Sequence, residues 1–143
     1  MTPTLQTRFG SDGNCWPACL ATIFDVPLSA VDHLAAHYED WHEQTEAFLQ
    51  ERGLFQNQIE VKQDTMGRNC FPFIAPPQGT ICVVVGKRWG ASIAHAVVAK
   101  VKYGQAESPE QCHLEFEIIH DPLGEPKAFS VTESVIFFSK TFI

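Results

Sequence analysis

Gly10-Ser11-Asp12-Gly13-Asn14 runs directly into Cys15-Trp16-Pro17-Ala18-Cys19-Leu20-Ala21-Thr22-Ile23-Phe24, and the change of character at Cys15 governs the reading of the chain. The first stretch is turn chemistry. The second is apolar, carries Pro where a first helical turn tolerates it, and repeats Cys15, Cys19 and Ile23 at helical spacing. It predicts a buried helix with Cys15 at its N-terminus. Downstream, Ser29 reads as the N-cap of a second helix with Val31, Leu34, Ala35 and Tyr38 on one face. A third helix is expected from about Asp40 to Arg52, closed by Gly53.

From Thr80 onward the period changes. Thr80 to Val85, Ala94 to Val101, Leu114 to Ile119 and Val135 to Phe138 are short, rich in β-branched and aromatic residues, and separated by Gly, Pro or polar stretches. Helices followed by strands predict an α+β fold, with N-terminal helices packed on an antiparallel β-sheet. Residues 1–143 are expected to form a single domain. Gln56 to Gly79 shows neither period and reads as a long loop.

Composition supports a packed core: 45% of the 143 residues are hydrophobic, among them eleven Phe and three Trp. Seventeen acidic residues against ten basic ones leave a net charge of −7, and no basic cluster exceeds the pair Lys87-Arg88. That argues against a nucleic-acid partner, whose phosphates demand Lys and Arg. No signal pattern is visible, and runs such as Ile81-Cys82-Val83-Val84-Val85 are far shorter than a membrane span, so a cytoplasmic protein with no membrane partner is expected. Cysteines at 15, 19, 70, 82 and 112 form an odd set without a Cys-x-x-Cys pair, which suits neither a disulfide framework nor a zinc ribbon.

The candidate chemistry centres on Cys15. A thiol attacks as thiolate, and a helix N-terminus favours the anion, so Cys15 is the candidate nucleophile, with a depressed pKa expected. Cys19, one turn further along the apolar face, reads as core. The base must come from elsewhere in the sequence. His95 begins His95-Ala96-Val97-Val98 after the loop Trp89-Gly90-Ala91-Ser92, so a strand end presents it. His120-Asp121-Pro122 closes the apolar stretch Phe116-Glu117-Ile118-Ile119, where Asp121 suits either an acceptor that orients the histidine or a plain Asp-Pro turn.

Gly13-Asn14-Cys15-Trp16-Pro17-Ala18-Cys19-Leu20-Ala21, then His95-Ala96-Val97-Val98, then Asp121-Pro122 resembles the papain-like leader peptidases found as domains of bacteriocin transporters. The words Gly-Asn-Cys, His-Ala-Val-Val and His-Asp-Pro are more similar still to small stand-alone bacterial and phage-borne members of that superfamily. The match spans residues 6 to 122 and rests on three short motifs in the family's order. It implies a papain-like fold and a catalytic triad of Cys15, His95 and Asp121. The leader peptidases carry an oxyanion-hole Gln six residues before the Cys, where this chain has Phe9. Gln6 or Asn14 is then the side-chain donor, beside the Cys15 N–H.

Trp16 and Trp89 flank the Cys and His in sequence and are candidates to wall a substrate groove. His33 and His37 have the spacing of paired zinc ligands on a helix, but Leu34 stands where a metalloprotease helix carries Glu, and a solvated face is the expectation. His42, His113 and His120 read as structural or surface residues. The resulting expectation is a cysteine hydrolase without cofactor or metal, acting on a peptide or protein through a Cys15 thioester. Deamidation or acyl transfer on the same fold, and a catalytically silent peptide-binding module, stand as alternatives.

Overall fold

Helix α1 spans Cys15–Phe24, as its apolar run predicts, and ends at Asp25, whose left-handed backbone (φ 53°) lets its N–H reach the Ala21 carbonyl. Residues 16 to 22 are buried, so the helix is enclosed rather than amphipathic. This computed structural model describes residues 1–71, 76–87, 93–108, 111–124, 129 and 131–140, with only the backbone at 103–108, 111–112 and 131. Helix α2, Trp41–Gln50, matches the third predicted helix within two residues at either end. The second does not form. Leu28–Ala30 and Asp32–Leu34 are single 3-10 turns, which still bury Val31, Leu34 and Ala35. The apolar residues survive there as anchors without the helix that their spacing suggested.

Among the described residues, seven strands form one antiparallel sheet: β1 Leu54–Glu60, β2 Lys62–Gln63, β3 Asn69–Phe71, β4 Ile81–Lys87, β5 His95–Ser108, β6 Gln111–His120 and β7 Val131–Lys140, in the order β1-β7-β4-β5-β6-β3-β2. The four strands expected from Thr80 onward are present, each longer than the stretch that announced it. The supposed loop Gln56 to Gly79 instead holds most of β1 and all of β2 and β3. Because β1 and β2 are one run of chain broken only at Val61, the two ends of the sheet order are covalently continuous, and the sheet nearly closes into a barrel. At the break, the Val61 N–H still donates to the Glu133 carbonyl at 2.9 Å.

Alternation along the strands builds two cores. Val83, Ala96, Val98 and Ile136 face α1 and α2 and pack with Trp16, Leu20, Phe48 and Leu49. Cys82, Val84, Val97, Ala99, Val101, Val135 and Phe137 face the other way and fill the curled sheet with Val61, Phe71 and Leu114. Both faces are covered, which explains why β4 and β5 read as nearly unbroken apolar runs. Packing α1 on β5 brings the N-terminus of the helix to the strand that starts with His95.

Candidate active site

The loop before α1 is held from within by Asn14. Its side chain is fully buried: Oδ1 accepts the N–H groups of Thr7 (2.9 Å) and Arg8 (3.0 Å), and Nδ2 donates to Thr7 Oγ1 (2.9 Å) and Asp32 Oδ1 (2.9 Å). Arg8 clasps the same Asp32 carboxylate at 2.8 and 3.1 Å. The Asn14 amide and then Arg8 hold the Asp32 carboxyl below its usual range. Both Asn14 amide protons are therefore committed, so Asn14 sets the loop rather than serving as an oxyanion donor, as the sequence had allowed.

Residues 4–6 run beside the end of β6. His120 Nε2 donates to the Thr4 carbonyl at 2.6 Å, and the Gln6 N–H donates to the Pro122 carbonyl at 3.0 Å. This fixes Gln6 next to Asp121. Gln6 is buried, gives one Nε2 proton to the Arg8 carbonyl at 2.9 Å, and leaves Oε1 without a partner among the described residues.

His95 Nε2 donates to Asp121 Oδ1 at 2.7 Å; the imidazole is 11% exposed and the carboxylate 0%. Oδ1 also accepts the Leu123 N–H at 2.9 Å, and the Asp121 carbonyl accepts the Gly124 N–H at 2.8 Å. The turn and the histidine contact, alternatives in the sequence, are thus made by the same carboxylate.

Cys15 and His95 line one cleft of about 480 Å³ together with Gln6 and His37, and Phe9, Ile93 and Leu123 give it an apolar rim. Burial pushes the Cys15 thiol up from its ordinary pKa; the N–H groups of Ala96, Trp16 and Cys15 itself pull it down, and the Asp121 charge adds to the upward side. Upward wins. The helix N-terminus does favour the thiolate, but desolvation outweighs it, and the expected depressed pKa is corrected accordingly. Cys19 is pushed up further, again by burial first.

Other sequence readings change. Trp16 is not a groove wall: it is 5% exposed, packs edge-on against Trp41, and sends Nε1–H toward Thr45 Oγ1 at 3.4 Å. Trp89 lies outside the described residues. His33 and His37 lose their helical spacing with the helix itself; His37 instead lines the cleft and stacks on Tyr38 at 4.1 Å. Its role was hidden because the pattern placed it on a solvated helix face.

A second cluster was not anticipated. Asp64, Cys70 and His113 bring one donor atom each to within 4.8 Å of one another, and such a set is able to hold a metal ion or to act chemically. His113, read as structural or surface, is buried there. Its only sequence signal was the Asp, Cys and His themselves, since the pairing of β3 with β6 that unites them lay in a stretch read as loop. Among the described residues, no helix is long and apolar enough to cross a membrane. No family model, curated protein or solved structure matches this chain.

Proposed function

We propose that the chain is a papain-like cysteine hydrolase, akin to the leader peptidases its motifs resemble, that cleaves an amide or peptide bond through a Cys15 thioester. The observation that carries this reading is the 2.7 Å contact between His95 Nε2 and the buried Asp121 carboxylate, at the cleft that Cys15 and His95 share. With Nε2 given to Asp121, Nδ1 is the nitrogen that exchanges a proton with the thiol.

Burial keeps the proton on sulfur, so Cys15 rests as the thiol. As substrate enters, His95 Nδ1 takes the thiol proton, Sγ attacks the carbonyl carbon, and Asp121 stabilises the imidazolium that forms. The Cys15 N–H and the second Nε2 proton of Gln6 receive the oxyanion. Collapse expels the amine, which leaves with the proton from His95, and a water deprotonated by the same nitrogen then hydrolyses the thioester. Screening peptide amides against wild type, Cys15→Ala and His95→Ala tests the reading: turnover is expected in wild type alone. Turnover that survives in Cys15→Ala overturns it. Product masses separate hydrolysis from deamidation and from transfer to an amine.

A further inference from the structure

Asp64 closes a tight turn between β2 and β3. Its Oδ1 accepts the N–H groups of Met66 and Arg68, both at 2.9 Å, and its carbonyl accepts the Gly67 N–H at 3.0 Å. The register of β3 on β6 sets Cys70 directly opposite His113. As a result His113 Nε2 lies 3.1 Å from Cys70 Sγ and 3.3 Å from Asp64 Oδ2. A single imidazole nitrogen carries at most one proton and directs it along one line, so it cannot make a good hydrogen bond to both neighbours. A sulfur, a nitrogen and an oxygen that share one small volume suit a cation placed between them.

We propose that Asp64 Oδ2, Cys70 Sγ and His113 Nε2 bind a zinc-type divalent cation, at a site separate from the Cys15 cleft. Zinc bonds of about 2.0–2.3 Å in a tetrahedron put ligand atoms about 3.3–3.7 Å apart, so the 3.1 Å separation need widen only by tenths of an ångström and the 3.3 Å one hardly at all. A thiolate, an imidazole and a carboxylate form a borderline-soft donor set that favours zinc over magnesium or calcium. Arg68 Nε donates to the same Asp64 Oδ2 at 2.7 Å and fixes the carboxylate, as hydrogen bonds to metal-bound carboxylates do. Thiolate and carboxylate together outweigh the one positive charge of Arg68, and the thiol proton is released as the metal binds. Three protein ligands leave the fourth position to water or an anion. His113 also lines a cleft of about 550 Å³ with Arg68 and Lys102.

The test uses the full chain, stripped with a chelator and titrated with zinc by calorimetry and with cobalt by absorption. Wild type is expected to bind about one equivalent, to show the thiolate-to-cobalt charge-transfer band with the intense d–d bands of a tetrahedral ion, and to melt higher with zinc. Cys15→Ala is expected to keep all three signals. Cys70→Ser is expected to lose the charge-transfer band, and Asp64→Asn, which keeps an oxygen for the turn hydrogen bonds, to weaken zinc by about tenfold or more. Absence of metal binding in wild type overturns the proposal even if a variant fails to fold. So does a charge-transfer band that persists in Cys70→Ser or disappears in Cys15→Ala, the second of which would assign the metal to the Cys15 cleft.

Discussion

Cys15 sits between opposing influences, and their balance makes a sharp expectation. Burial outweighs three N–H groups, so its pKa lies above the ordinary 9.0, and peptide-mapped alkylation across pH should inflect above that value. An inflection well below it would mean a preformed thiolate–imidazolium pair. Cys19 is fully buried and should label more slowly than Cys15 at every pH at which the protein stays folded. In the proposed mechanism a resting thiol also makes Asp121 matter more, because His95 must take the thiol proton during attack. Asp121→Asn retains an oxygen for both His95 and the Leu123 N–H, so mainly the charge is lost. Turnover should fall by about a hundredfold or more, within the range of general-base contributions, with little change in thermal stability. Equal turnover of Asp121→Asn and wild type would reduce Asp121 to a turn former. That Cys15, His95 and Asp121 come near one cleft was legible because each stands at the edge of an apolar run, where side chains are presented to clefts. The direction of the Cys15 shift was not, since it depends on how deeply α1 is buried by strands far away in sequence.

Elements differed in how openly their sequences declared them. Helix α1 and strands β4 and β5 have long apolar runs, and their assignment follows from period alone. Strand β1, Leu54-Phe55-Gln56-Asn57-Gln58-Ile59-Glu60, carries amides of low strand propensity and is held by its pairing with β7, which no local pattern announces. The stretch from Ser29 to Tyr38 shows the reverse case. Its apolar spacing suggested a helix, but Asp32 is drawn into the Asn14 and Arg8 network and the chain makes separate 3-10 turns. That network is what holds the loop in front of Cys15. Asn14→Ala leaves the Thr7 and Arg8 N–H groups without their buried acceptor and Asp32 with Arg8 as its remaining donor. Unfolding in urea should show a loss of about 3 kcal/mol. A loss below about 0.5 kcal/mol would mean that residues 7–14 are held by something else.

At the scale of the molecule, the nearly closed sheet packs its interior with apolar side chains and the thiol of Cys82, and encloses that thiol so well that burial pushes its pKa up to about 12. In the unfolded chain the same thiol titrates near 9.0. The folded state therefore binds this proton more tightly, and its contribution to stability is complete below pH 9.0 and is lost as pH rises toward 12. Cys82→Ala should cost about 1 kcal/mol at neutral pH but flatten part of the alkaline decline in melting temperature. A decline identical to wild type would contradict the assignment. The α+β class and helix-on-sheet packing could be read from the order of patterns, whereas the curling of the sheet could not, because it depends on one residue, Val61, at which a strand changes partners. That same curling sets β3 against β6 and so assembles the Asp64, Cys70 and His113 cluster. A nucleophilic Cys15 driven by His95 should yield an acyl intermediate that an activated peptide ester traps and that mass mapping locates. One adduct is expected on Cys15, labile to hydroxylamine as a thioester is, absent in Cys15→Ala and formed far more slowly in His95→Ala. An adduct on another residue, or one that forms on Cys15 just as fast without His95, would contradict it.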